Sequence, residues 1–95
     1  MYKISTVEKK EEAVITLAGF LDISNIERIR EELLNLETEK KKIVFKMVEV
    51  ENIDLSFLQL LIAYKKQHEA VRFRWEIDEE FSHLIKGSGF QNLIN

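Results

Sequence analysis

The sequence predicts an α/β fold of two layers, a mixed sheet with helices packed mainly on one face. Two observations carry that prediction. Segments rich in β-branched and aromatic residues alternate with segments of helical periodicity, a pattern that joins parallel strands through right-handed crossovers. The chain also opens on two strand-like segments separated only by a short charged turn, and a turn that short forces the first pair to be antiparallel. With 95 residues, no proline, and no repeat or low-complexity linker, the chain reads as a single domain over 1–95.

Tyr2 to Val7 alternates weakly, Glu8 to Glu12 interrupts it, and Ala13 to Ala18 resumes the strand-forming residues, with Gly19 expected to end the second strand. Ser24 followed by Glu27 matches a capping box, so a helix is expected to start there. Ile26, Ile29, Leu33 and Leu36 form its apolar face, while Glu27, Arg28, Arg30, Glu31 and Glu32 cover the other side. A polar connection, 37–42, leads to a third strand expected from Ile43 to Met47, and Val48 to Asn52 then carries the chain to the next helix.

The second helix is expected to begin near Ser56, with Ser56 and Gln59 as another capping-box match. Its apolar residues, among them Phe57, Leu58, Leu60, Leu61, Ile62 and Tyr64, span a wider arc than one contact face needs, so part of that arc is available to a partner. Val71, Phe73, Trp75 and Ile77 alternate with Arg72, Arg74 and Glu76, which reads as a half-exposed strand at a sheet edge or on an open-faced sheet. Asp78 is placed to cap a last helix with Phe81, Leu84 and Ile85 on its face. Gly87 or Gly89 then stops it before Phe90 to Ile94 packs back.

Composition narrows the function. A net charge of −3, with basic residues interleaved among acidic ones, argues against nucleic acid and against direct contact with an anionic membrane. The chain has no cysteine, which excludes disulfides, thiolate metal sites and cysteine nucleophiles. The amino terminus lacks the apolar run of a signal peptide and no stretch approaches a membrane span, so a cytoplasmic protein is expected. His68 and His83 have no carboxylate at ligand spacing, so neither a metal nor a cofactor is expected, and no Gly-x-Ser-x-Gly elbow occurs. Gly87-Ser88-Gly89 lacks the preceding strand of a phosphate loop and reads as a helix stop.

The stretch from Asn52 to Leu58 joins the third strand to the second helix, a place where backbone donors and the positive end of a helix dipole converge. Three landmarks line up around it: Gly19-Phe20-Leu21-Asp22, Ile53-Asp54-Leu55-Ser56-Phe57-Leu58, and Gly89-Phe90. In that order and at those spacings they resemble a STAS domain, the fold of bacterial anti-sigma factor antagonists, over about Ile4 to Ile94. The resemblance implies a mixed sheet of four to five strands and a protein whose work is regulated binding rather than catalysis. In the family the central junction reads Asp-Ser-Ser-Gly-Leu, and the serine directly after the aspartate is phosphorylated by a partner kinase. Here Asp54, Ser56 and Leu58 match, Leu55 replaces that serine, and Phe57 replaces the glycine.

The resemblance places partner binding on Asp54, Leu55, Ser56, Phe57 and Leu58, with one of Leu55 and Phe57 exposed as an apolar contact. It implies a protein partner: an anti-sigma factor or a serine kinase-like regulator. Two alternatives stand beside constitutive docking. Ser56 could itself take a phosphate, favoured by the helix dipole, or act only as a cap. The domain could instead be the STAS subunit of a lipid or ABC transport complex, where its partner is a transporter subunit. A monomer or weak homo-dimer fits either role. Asp22 and Asp54 could in principle form an acid pair of the kind glycoside hydrolysis needs, but as turn and cap acceptors they require no such role.

Overall fold

In the computed structural model the residues described are 1–36, 42–68 and 70–87. They form four strands and three helices in the order β1 (Tyr2–Glu8), β2 (Glu12–Leu21), α1 (Ile26–Leu34), β3 (Lys42–Ile53), α2 (Leu55–Gln67), β4 (Val71–Glu76) and α3 (Glu79–Gly87). The sheet order is β1-β2-β3-β4, with β1 antiparallel to β2 and the other pairs parallel. The mixed sheet predicted from the element order is therefore present, with four strands among the described residues. The packing expected for Phe90 to Ile94, and the landmark Gly89-Phe90, lie outside them.

Side-chain alternation sends one set of residues toward the helices. Ile15 and Leu17 of β2, Ile43, Phe45 and Met47 of β3 and Phe73 of β4 form a buried cluster. Onto them pack Ile26, Ile29 and Leu33 of α1, Phe57, Leu58, Leu61 and Tyr64 of α2, and Ile85 of α3. Phe45 anchors the centre: its ring stacks on Phe73 at 5.7 Å and meets the Tyr64 ring edge-on at 5.0 Å. His68 stacks on Tyr64, and its Nδ1 lies 3.0 Å from the Tyr64 carbonyl at the end of α2. On the opposite face of the sheet Ser5, Thr16, Lys46 and Arg74 share one row, and Lys46 pairs with Glu76 at 3.2 Å.

Several local expectations are corrected. Gly19 does not end β2; it sits inside the strand at φ 89°, and a Cβ there would lie 2.5 Å from the Met1 carbonyl oxygen. That close approach, with Phe20 N donating to the same oxygen at 3.0 Å, explains the glycine. β3 runs on to Ile53 rather than stopping at Met47. Between the pairs Leu17–Met47 and Phe20–Asn52 the register shifts twice, so β3 carries two more residues than β2 over this span, and Glu49 takes φ 46°. A bulge of this kind breaks the alternation that marks a strand in sequence.

Neither predicted capping box forms. α1 has Asn25 as its N-cap with no side-chain cap bond, and α2 is capped by Asp54 rather than Ser56. On α3, Ile85 is buried and Phe81 packs against the core, whereas Leu84 is exposed. β4 matches its sequence pattern, with Phe73 buried, Val71 and Trp75 half-buried, and Arg72, Arg74 and Glu76 exposed.

Candidate functional site

The parallel strands β2 and β3 end side by side, Leu21 opposite Ile53, so the loops that follow them meet at one end of the sheet. Both loops carry an aspartate, and the two carboxylates lock the loops to each other. Asp54 Oδ1 accepts from Phe57 N at 3.3 Å, closing the first turn of α2, and from the Ser56 hydroxyl at 2.5 Å. Its Oδ2 reaches across to the other loop and accepts from Ile23 N at 2.8 Å. Asp22 reciprocates: its Oδ1 accepts from Ser24 N at 3.1 Å and from the Ser24 hydroxyl, and its Oδ2 accepts from Asn52 Nδ2 at 2.8 Å. Asn25 Nδ2 adds a bond to the Phe20 carbonyl at 2.8 Å.

These bonds explain why the sequence signals for caps misled. Each serine stands two residues after an aspartate, and a carboxylate is the stronger acceptor, so the hydroxyl donates to it instead of turning to the helix amides. Asp22 is buried, at 7% exposure, yet fully satisfied. The Ser24 hydroxyl and the Asn52 amide hold its carboxyl below the usual aspartate value, outweighing the opposing effect of burial. Both aspartates thus serve as structural acceptors.

Of the five residues expected to contact a partner, the structure presents only some. Leu55 is 50% exposed at the first position of α2, and Asp54 and Ser56 are half-buried beside it. Phe57 and Leu58 are fully buried, at 0% and 1%, and belong to the core. Their inclusion as contact residues is corrected: both lie on the stripe shared with Leu61 and Tyr64 that packs on the sheet. The sequence reading also missed residues. Ile23, 69% exposed, and Phe20, 41% exposed, sit on the neighbouring loop and strand end that Asp54 and Asn25 hold in place. Asn52 and Ser24 were missed as partners of Asp22.

The result is a rigid junction with three large apolar side chains, Phe20, Ile23 and Leu55, facing outward around two satisfied carboxylates. Among the described residues no group of histidine, aspartate and glutamate could hold a metal ion, and no helix is long and apolar enough to cross a membrane.

Comparison with known proteins identifies the architecture. A sequence profile described as STAS domain matches residues 3–94. The chain belongs to the STAS domain family. Solved structures superpose on it at low identity. An antisigma-factor antagonist STAS domain from Rhodobacter sphaeroides gives a TM-score of 0.59 at 18% identity, covering 78% of this chain and 84% of that one. The anti-sigma factor antagonist SpoIIAA in its unphosphorylated form gives 0.59 at 16% identity, covering 94% and 99%. Mglu gives 0.59 at 21% identity over 79% of this chain, which spans only 19% of the Mglu chain. At these identities the likeness is one of fold. No curated protein sequence matches the chain.

Proposed function

We propose that this STAS domain is a non-enzymatic regulatory module that captures a protein partner on the apolar surface at the start of α2. Leu55 and Ile23 make the contact, and Asp54 holds the two loops in the docking geometry. The observation that supports this reading is the paired exposure of Ile23, on the loop after β2, and Leu55, at the first position of α2, with the two segments tied together by the Ile23 N to Asp54 Oδ2 bond. Large apolar groups on a surface otherwise stapled by hydrogen bonds mark an interaction site. By family resemblance Leu55 occupies the place of the phosphorylated serine, so capture is constitutive rather than gated by phosphate. The partner class is a cytoplasmic anti-sigma factor or serine kinase-like regulator.

Ser56 is poorly suited to replace that switch. Its hydroxyl is half-buried and already donates to Asp54 Oδ1, so a phosphate there would set a dianion against a carboxylate and remove the donor. Co-purification from the native host tests the reading. Wild-type chain is expected to bring down a defined regulator that the Ile23→Ser/Leu55→Ser variant loses, while the unfolding curves of the two coincide. Equal recovery by both would remove the docking surface from this end of the molecule. Treatment with the captured kinase and ATP is expected to leave the intact mass unchanged; a gain of one phosphate on Ser56 would replace constitutive docking with a phospho-switch.

A further inference from the structure

The end of the sheet that carries Phe20, Ile23 and Leu55 also carries a group of exposed carboxylates, and we propose that the partner seated there is a basic protein surface, an apolar anchor bordered by lysine or arginine. The inference rests on the docking reading above and adds the chemistry of what docks. Because β2, β3 and β4 are parallel, the β3–α2 and β4–α3 junctions open on the same end as Ile23. Glu49 and Glu51 stand on the last part of β3, and Asp78, Glu79 and Glu80 lead into α3, all exposed and without an ion pair among the described residues. Segments 47–64 and 75–85 contain no lysine or arginine.

Five basic residues lie elsewhere. Lys42 and Arg72 begin β3 and β4, while Lys65, Lys66 and Lys86 end α2 and α3, which places all five at the opposite end of the sheet. Lys46 is neutralised by Glu76, and Arg74 beside it is exposed on the open face of the sheet. Lys3, Arg28 and the amino terminus are on the Ile23 end, but on β1 and α1, so the partner's positive charge is directed to the β3–α2 and β4–α3 side.

Glu79 and Glu80 have a local explanation, since acidic residues in a first turn complement the helix dipole. Glu49 and Glu51 have none: they stand on a strand, and Glu49 occupies the left-handed region, where glycine, asparagine or aspartate is the usual choice. Their carboxylates stand on the last part of β3, the strand that leads into the junction, and add to the negative field at this end of the sheet. A field of this sign accelerates encounter with a basic surface and penalises an acidic one by like-charge repulsion, while Leu55 and Ile23 supply the buried anchor.

The test uses the full chain and two synthetic amphipathic peptides, one of leucine and lysine, the other of leucine and glutamate. Amide shifts of the labelled protein and titration calorimetry read the outcome. The leucine–lysine peptide is expected to shift Phe20, Ile23, Glu49, Glu51 and Leu55, to bind about tenfold more weakly when salt rises from about 0.05 to about 0.5 M, and to outcompete its acidic counterpart. Glu49→Lys/Glu51→Lys/Glu79→Lys is expected to weaken it about tenfold, whereas Glu11→Lys/Glu31→Lys, at other surfaces, leaves it within about twofold. If charge reversal at the junction has no effect but Leu55→Ser still abolishes binding, the basic-partner inference fails and the docking reading stands. If Leu55→Ser changes binding of neither peptide, or the shifts map elsewhere, both fail. Salt-sensitive self-association in sedimentation, lost on charge reversal, would make the occupant the basic end of a second copy and overturn the inference.

Discussion

Asp54 is the residue on which the junction depends, and its removal has a magnitude that follows from its two bonds to the backbone. Asp54→Ala leaves Phe57 N without a side-chain cap, a loss of ~1 kcal/mol for a typical N-cap. It also frees Ile23 N, whose bond to a carboxylate contributes roughly 1 kcal/mol once exposure at both partners is allowed for. The sum, about 2 kcal/mol, should lower the melting temperature of a domain of this size by about 10 °C. Asp54→Ser separates the two contributions, because serine caps the helix but is too short to reach the neighbouring loop; it should cost about 1 kcal/mol. Urea unfolding followed by Trp75 fluorescence and far-ultraviolet dichroism gives both values by linear extrapolation. A serine variant as stable as wild type would show that the inter-loop bond contributes nothing, and an alanine variant within about 0.5 kcal/mol of wild type would refute the role assigned to Asp54.

Three further outcomes follow from the same structure. Gly19→Ala should destabilise by at least ~1 kcal/mol in the same unfolding assay, because the added Cβ meets the Met1 carbonyl at a positive φ. Phe57→Ala should cost about 3–5 kcal/mol as a core cavity, whereas Leu55→Ser should stay within about 0.5 kcal/mol; similar values for the two would contradict their opposite burial. Asp22 is held below its ordinary value of 3.8, so its folded carboxylate binds protons less readily than the unfolded one. The stability it contributes is therefore fully present above about pH 4 and is lost as pH falls through its lowered value. The stability gap between wild type and Asp22→Asn, measured by urea unfolding across pH, should accordingly shrink below about pH 4; a gap that is flat or widens there would contradict the assignment.

The element order was legible because periodicity is a local signal: Val71 to Glu76 alternates, and Ile26, Ile29 and Leu33 recur at helical steps, so burial followed pattern. What failed was where two local signals compete. Ser24 and Ser56 fit the capping box, but each lies two residues beyond an aspartate that takes its hydroxyl, a competition the box pattern does not weigh. β3 was read too short because its two-residue excess over β2 breaks alternation between Met47 and Ile53. Phe57 could have been assigned to the core from the sequence, since with Leu58, Leu61 and Tyr64 it makes one helical stripe, from which Leu55 lies far around the axis. Ile23 could not, because its place beside Leu55 depends on a hydrogen bond between residues 31 positions apart.

The central claim is that Leu55 touches a protein partner. A photo-crosslinking residue placed at position 55 in the native host tests it directly, with the same residue at Lys66, on the far end of α2, as control. Docking at the start of α2 predicts a discrete adduct of one partner from position 55 and none from position 66. No adduct at 55, or the same adducts from both positions, would contradict it.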